Sequence, residues 1–189
     1  MRKIAIFASG SGTNAENIAQ YFRGHKYIKV ELILTNKKDA YVIKRAEKLS
    51  IPYIVFSKDE LYNTEKIIQI LREHQIDLIV LAGFLLLIPK RLIDAFPNRI
   101  INIHPALLPK HGGKGMYGMK VHETVKKHNE EETGITIHYV NENYDEGQII
   151  KQYKCKVLQE DTPEDIAQKV HKLEYKYYPQ VIENVLTDS

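Results

Sequence analysis

The sequence predicts an α/β protein built on a doubly wound, mainly parallel sheet, with an antiparallel hairpin and one long helix towards its C-terminal end. Three observations carry that expectation. Short apolar runs alternate with stretches whose apolar residues recur at helical spacing, the pattern of βαβ units. A glycine-rich turn, Ser9-Gly10-Ser11-Gly12, separates the first run from the first helical stretch. Late in the chain, two alternating stretches flank a polar turn, and a long helical pattern follows.

Ile4 to Ala8 reads as a buried strand, and a helix follows from about Asn14 to Phe22, stopped by Gly24. Val30 to Leu34 is the second strand, Ala40 to Leu49 the second helix, and Pro52 to Phe56 the third strand. Ser57, with Glu60 three residues later, spells a capping box. The helix it opens is expected to run from Lys58 to about His74, on the spacing of Leu61, Ile67, Ile68 and Leu71. Leu78 to Leu81 and Ile100 to Ile103 supply strands four and five. Ile135 to Val140 and Gln148 to Val157 form the hairpin around Asn141 to Gly147. Thr162 as N-cap and Pro163 at the first helical position start the last helix, which runs to about Val185.

Composition narrows the function. A chain of 189 residues, 43% apolar and 27% charged, can bury a core without disulfide or metal staples, and one domain spanning 1–189 is expected. A net charge of +3, spread along the chain, makes no case for nucleic acid. The longest apolar run, Leu78 to Ile88, is too short for a bilayer span of roughly 20 residues. The apolar stretch after Met1-Arg2-Lys3 is too short for a signal peptide. One cysteine, Cys155, permits no intrachain disulfide. A cytoplasmic protein that acts on small molecules, away from membranes, is expected.

Four segments can carry chemistry. Ser9 to Ala15 joins the first strand to the first helix, so its glycines and helix-start N–H groups can cradle a phosphate, with Thr13 and Asn14 as side-chain donors. The spacing also fits a dinucleotide fingerprint. Thr35-Asn36-Lys37-Lys38 at the end of strand two carries no acid, which speaks against NAD and leaves NADP open. Asn102 and His104 share one face of strand five, at the carboxyl end where α/β sheets collect ligands. An amide beside an imidazole can stabilise an oxyanion and move a proton. The acidic turn Asn141 to Gly147 can supply a carboxylate, and Gly83 to Ile88 an apolar lining for a flat ligand. Each segment also has a plainer reading, as a turn, as satisfied polar groups or as core. Metal ligands are not expected, because no histidine pair has one-helix-face spacing beside an acid. His122 and His128 read as surface residues. Neither a serine-hydrolase elbow nor a P-loop is present.

Taken together, Ile6 to Asn14, Leu81-Ala82-Gly83-Phe84, Asn102 to Lys110, Gly134 to His138 and Tyr144-Asp145-Glu146-Gly147 resemble the folate-dependent phosphoribosylglycinamide formyltransferase family over essentially the whole chain. The Asn-x-His-Pro-x-Leu-Leu-Pro segment with its later Asp-x-Gly is shared with formyltransferases acting on methionyl-tRNA and sugar nucleotides. The Gly-Ser-Gly-Thr-Asn loop favours the glycinamide members.

The resemblance implies a Rossmann-like formyltransferase fold and a set of roles. Asn102, His104 and Asp145 would be the catalytic trio, Asp145 raising the His104 pKa. Gly12, Thr13, Asn14 and Glu174 would bind phosphoribosylglycinamide. Leu85, Leu86, Leu87, Ile88, Asn102, Val140 and Asn141 would line the site of 10-formyltetrahydrofolate, the co-substrate. No metal would be required. The sequence departs from the family pattern at Leu85 to Ile88, where members often carry Met-Arg-Ile-Leu, and near Ser57 to Tyr62, where a family arginine is missing. The glycine-rich stretch 111–118 is longer than in many members and is read as a mobile lid.

Overall fold

The computed structural model describes residues 1–187. Its strands are β1 (Arg2–Phe7), β2 (Ile28–Thr35), β3 (Tyr53–Val55), β4 (Leu78–Leu81), β5 (Ile100–His104), β6 (Glu132–Tyr139) and β7 (Ile149–Lys156). The helices are α1 (Thr13–Tyr21), α2 (Val42–Leu49), α3 (Lys58–Tyr62), α4 (Lys66–Glu73), α5 (Lys90–Ala95), α6 (Met119–Lys127) and α7 (Pro163–Thr187). The strands form one sheet in the order β3-β2-β1-β4-β5-β6-β7. The first five strands are parallel, and β6 and β7 add antiparallel at one edge.

Side-chain alternation along β1 divides the core between two faces. Ile4 and Ile6 pack with Ile18 of α1 and Val170, Tyr178 and Ile182 of α7. Ala5 and Phe7 pack on the other face with Leu61 of α3, Ile67 and Leu71 of α4, and Leu92 of α5. A strand segment buried on both sides must be apolar, which is why Ile4 to Phe7 of β1 and the whole of β4 read as unbroken runs. Tyr178 of α7 is fully buried, and its hydroxyl donates to the Leu81 carbonyl at 2.9 Å, fastening the last helix to the sheet centre.

Two local differences from the sequence reading have physical causes. The expected helix from Lys58 to His74 is broken into α3 and α4. Its capping box is present, but Thr64 interrupts the ladder. The Thr64 hydroxyl donates to the Glu60 carbonyl at 2.9 Å and accepts from the Lys66 N–H at 3.2 Å, so it competes with helix continuation. The helices α5 and α6 were not expected. α5 has six residues, and α6 emerges from the glycine-rich stretch with only Val121 and Val125 as an apolar stripe.

Parallel strands place their carboxyl ends together. The turns after β1, β4 and β5 therefore open on one side of the sheet, and the β6–β7 turn joins them from the edge. No helix among the described residues is long and apolar enough to cross a membrane.

Candidate active site

These turns enclose a cleft of about 690 Å³. One wall is apolar, made by Phe84, Leu85, Leu86, Leu87, Ile88 and Val140. The opposite wall is polar, with Ser11, Thr13, Asn14, His122, His171 and Glu174. Asn102, His104, His138 and Asp145 lie between the two. The volume suits a drug-sized ligand, and the lining offers a few polar groups on a larger apolar surface.

The central group is a connected network. Asn102 and His104 project from the same face of β5, and antiparallel pairing sets His138 of β6 directly opposite Asn102. Asp145 comes from the hairpin turn, at φ 57°. Gly147 permits the tight return of that turn, because a Cβ there would stand 1.6 Å from the Tyr139 carbonyl oxygen. Asp145 Oδ2 accepts from the Gly113 N–H at 2.9 Å and lies 3.4 Å from His104 Nδ1. Its Oδ1 lies 3.5 Å from Asn102 Nδ2 and 3.7 Å from His138 Nε2.

A carbonyl can only accept, so the ring nitrogen that faces one carries a hydrogen. His104 Nε2 donates to the His111 carbonyl at 2.8 Å. His138 Nδ1 donates to the Tyr139 carbonyl at 2.8 Å, and its Nε2 lies 3.2 Å from Asn102 Nδ2. The second Asn102 amide hydrogen has only the long contact to Asp145. It is the donor most readily redirected to a substrate oxygen.

The electrostatics revise one expectation. Burial pushes the His104 pKa down more strongly than the nearby Asp145 carboxylate and the His111 carbonyl lift it, and the net shift is downward. Asp145 pulls in the expected direction and is outweighed. The Asp145 carboxyl is itself pushed up by burial. His138, His104 and the Gly113 N–H together overcome that and hold it below its ordinary value.

The polar wall is organised differently. Gly12 takes φ 73° at the start of α1, and a Cβ there would stand 2.4 Å from Val42 Cγ2 and 2.9 Å from Val42 Cα. Its identity is explained by the left-handed turn and by the close approach of α2. Gly12 is buried behind the cleft, and its neighbours Ser11, Thr13 and Asn14 form the surface. Asn14 Nδ2 donates to Glu174 Oε2 at 2.9 Å, while Asn14 Oδ1 is buried without a partner. Burial raises the Glu174 pKa against the opposing pull of Asn14 and His171.

His122, read from sequence as a surface residue, is only 2% exposed. The α6 stripe turns it inward beside Val121 and Val125, and its Nδ1 has no partner. Burial, with smaller contributions from His171 and His104, takes its pKa down to about 4. His128 is exposed, as expected.

The residues expected at the folate site divide. Leu85, Leu86, Leu87, Ile88, Asn102 and Val140 line the cleft, and Asn141 does not. The Asn141 carboxamide turns back to accept the Asn143 N–H at 3.0 Å, supporting the hairpin turn. The structure also assembles a histidine–carboxylate group that single-helix spacing could not reveal. His111, His128 and Glu130 bring ligand-type atoms within 4.8 Å of one another. There Glu130 already pairs with His111 at 3.1 Å and with Lys110 at 2.9 Å. His138 ends the Gly134 to His138 segment, and only the strand pairing brings it to Asn102, a signal that sequence spacing lacks.

Comparison with known proteins gives a consistent picture. The profile of the formyl transferase family matches residues 2–182. The chain is 42% identical over 187 residues to the chloroplastic phosphoribosylglycinamide formyltransferase of Arabidopsis thaliana, covering 96% of this chain and 64% of that protein. It is 40% identical over 191 residues to phosphoribosylglycinamide formyltransferase of Bacillus subtilis, covering 98% and 95%. A solved phosphoribosylglycinamide formyltransferase from Bacillus halodurans superposes with a TM-score of 0.87 at 38% identity, covering 98% of this chain and 95% of that one. One from Anaplasma phagocytophilum gives 0.89 at 32% identity, covering 99% and 88%. The chain spans only 64% and 60% of the length of the chloroplastic relatives from Arabidopsis thaliana and Vigna unguiculata.

Proposed function

The chain belongs to the formyl transferase family, and from that premise we propose that it moves the formyl group of 10-formyltetrahydrofolate to the amine of 5-phosphoribosylglycinamide, a step of purine (IMP) biosynthesis. In this reading residues 1–189 act as one formyltransferase domain in the cytoplasm, where a lone thiol such as Cys155 stays reduced. The observation that carries the reading is the meeting of Asn102, His104 and Asp145 between an apolar wall and a polar wall of one cleft.

The apolar wall suits the flat ring of the donor. Its backbone is already fixed: Leu85 N–H donates to Ser9 Oγ at 3.1 Å, and the Leu87 carbonyl accepts from Tyr62 at 2.8 Å. The ring can therefore meet an ordered edge without the family arginine. The loop of Ser11, Thr13 and Asn14 at the start of α1 suits the phosphate of the acceptor.

In the reaction, the acceptor amine forms a bond to the formyl carbon. The carbonyl electron pair moves to oxygen and gives a tetrahedral oxyanion. When that collapses, the bond to the folate nitrogen breaks. The amine loses one proton and the folate nitrogen gains one. Asn102 donates its second amide hydrogen to the oxyanion. His104, uncharged at the outset, exchanges the His111 carbonyl for the oxyanion, takes up the proton that the amine loses and passes one proton on to the leaving nitrogen, which returns the imidazole to its uncharged form. Asp145 keeps the imidazole oriented and stabilises its protonated form. Preorganised oxyanion donors are each worth about 10²–10³ in rate.

The test is a steady-state assay of purified protein with 10-formyltetrahydrofolate and 5-phosphoribosylglycinamide, with a chelator present. Formation of the N-formyl product supports the reading. Tight folate binding without turnover would overturn the acceptor assignment and point to another amine. Absence of both would overturn formyl transfer itself.

A further inference from the structure

We propose that His111, His128 and Glu130 form a binding site for a divalent transition-metal ion, zinc above all, which ties the start of the glycine-rich stretch 111–118 to the end of α6. The site is separate from the cleft, whose walls include none of the three residues.

Three places in the chain bring the donors together. His111 opens the glycine-rich stretch, His128 caps the C-terminal end of α6, and Glu130 lies in the turn before β6. One ligand-type atom from each lies within 4.8 Å of the other two, and no other three such side chains meet as closely among the described residues. His111 Nε2 and Glu130 Oε1 are 3.1 Å apart. Around a tetrahedral zinc ion, two nitrogen or oxygen donors stand about 3.3 Å from each other. That pair therefore already has the spacing of two ligands on one ion. The His128 ring, with its centroid 5.3 Å from that of His111, supplies the third donor. His128 is exposed, so rotation about its side-chain bonds can close the remaining gap without disturbing the core.

An ion pair alone accounts for less of this arrangement. It explains the contacts of Glu130 with His111 and Lys110, but it gives His128 no part. Lys110 is held chiefly through Glu130 Oε2, at 2.9 Å, and its side chain is 67% exposed. Such a contact is weak and easily exchanged, which leaves Oε1 for an ion. The backbone role of His111 does not call for a histidine either. Its carbonyl accepts from His104, and its φ is 55°, a conformation that glycine adopts at less cost. The carbonyl dipoles at the end of α6 also favour a cation there.

The donor set selects the ion. Two imidazoles and one carboxylate suit zinc and its first-row neighbours, whereas magnesium and calcium take oxygen ligands. Three protein ligands leave a tetrahedral ion one position for water. Because His111 and His128 bracket the glycine-rich stretch and α6, an ion shared between them closes that loop.

The experiment titrates zinc into the metal-stripped wild-type chain and into His128→Ala and Glu130→Gln, with magnesium as a parallel titrant. Calorimetry gives stoichiometry and Kd, a thermal scan the melting temperature, and amide hydrogen exchange the protection of 111–118. Wild type is expected to bind one zinc ion per chain. It should melt about 5 °C higher at free zinc about 100 times the Kd, and exchange more slowly over 111–118 when loaded. His128→Ala, at an exposed position, should keep the metal-free melting temperature and weaken zinc binding by about a hundredfold or more, and Glu130→Gln should weaken it comparably. Magnesium should give none of these effects. A wild-type chain that binds no zinc would overturn the proposal, as would a folded His128→Ala chain with wild-type zinc affinity, which would place the ion elsewhere. Zinc binding with unchanged exchange over 111–118 would overturn the tie to the glycine-rich stretch. The formyltransferase reading is tested separately, since its assay is run in chelator.

Discussion

The centre of the cleft and its polar wall handle buried polarity in opposite ways. Asn102, His104, His138 and Asp145 engage one another or nearby backbone groups. Asn14 and His122 each keep a buried atom unpaired. The paired network is held in place before any ligand arrives, as electrostatic stabilisation of a transition state requires. The polar wall instead keeps two buried polar atoms unmatched, which costs stability in the ligand-free fold.

The largest effect is expected from breaking the centre. His104→Ala should lower kcat by about 10³ while the melting temperature changes little, because losing a donor that also moves a proton exceeds the loss of a simple oxyanion contact. Turnover within tenfold of wild type would remove His104 from the chemistry. Asp145→Asn should cost less, about 10² in kcat, and its pH–rate profile is the sharper readout. The carboxylate pulls the His104 pKa upward against burial. Taking that charge away leaves burial less opposed, so the limb assigned to His104 should move to lower pH. A profile of unchanged shape would show that Asp145 does not act on the imidazole.

The smallest effect tests the wall through stability alone. The folded-state pKa of His122 is about 4 against an ordinary 6.5. Between those values the unfolded chain binds more protons than the folded one, so stability rises with pH across that window. The contribution is complete above about pH 6.5 and is lost as the pH falls towards 4. Urea unfolding of wild type should show that loss, and His122→Leu should flatten it. Parallel profiles for the two proteins would mean that His122 titrates as it does in the unfolded chain.

The contrast also marks what could be read without coordinates. Asn102 and His104 were legible because a strand places residues i and i+2 on one face, and that face ends at the ligand side of a parallel sheet. The α1 loop was legible from its glycines, although Gly12 serves the packing of Val42 and leaves the cleft surface to its neighbours. His122 was misread because one polar residue in the short, weakly apolar pattern of α6 looks like a solvent-facing position until α7 is packed against it. The break between α3 and α4 was missed because a threonine hydroxyl bonded to the backbone leaves the apolar spacing of the segment intact.

By itself the sequence determined the strand and helix periodicities, the mainly parallel character of the sheet, the closing hairpin and the shared strand face of Asn102 and His104. Those features follow from local patterns with periods of two and about 3.6 residues. The tertiary structure alone decided that Asp145 reaches His104 and that His138 pairs with Asn102. It also decided that burial outweighs Asp145 in setting the imidazole's charge, and that His122 faces inward. Each of these depends on groups distant in sequence meeting in a water-poor interior, where desolvation and partner geometry set the energy and no local pattern records them.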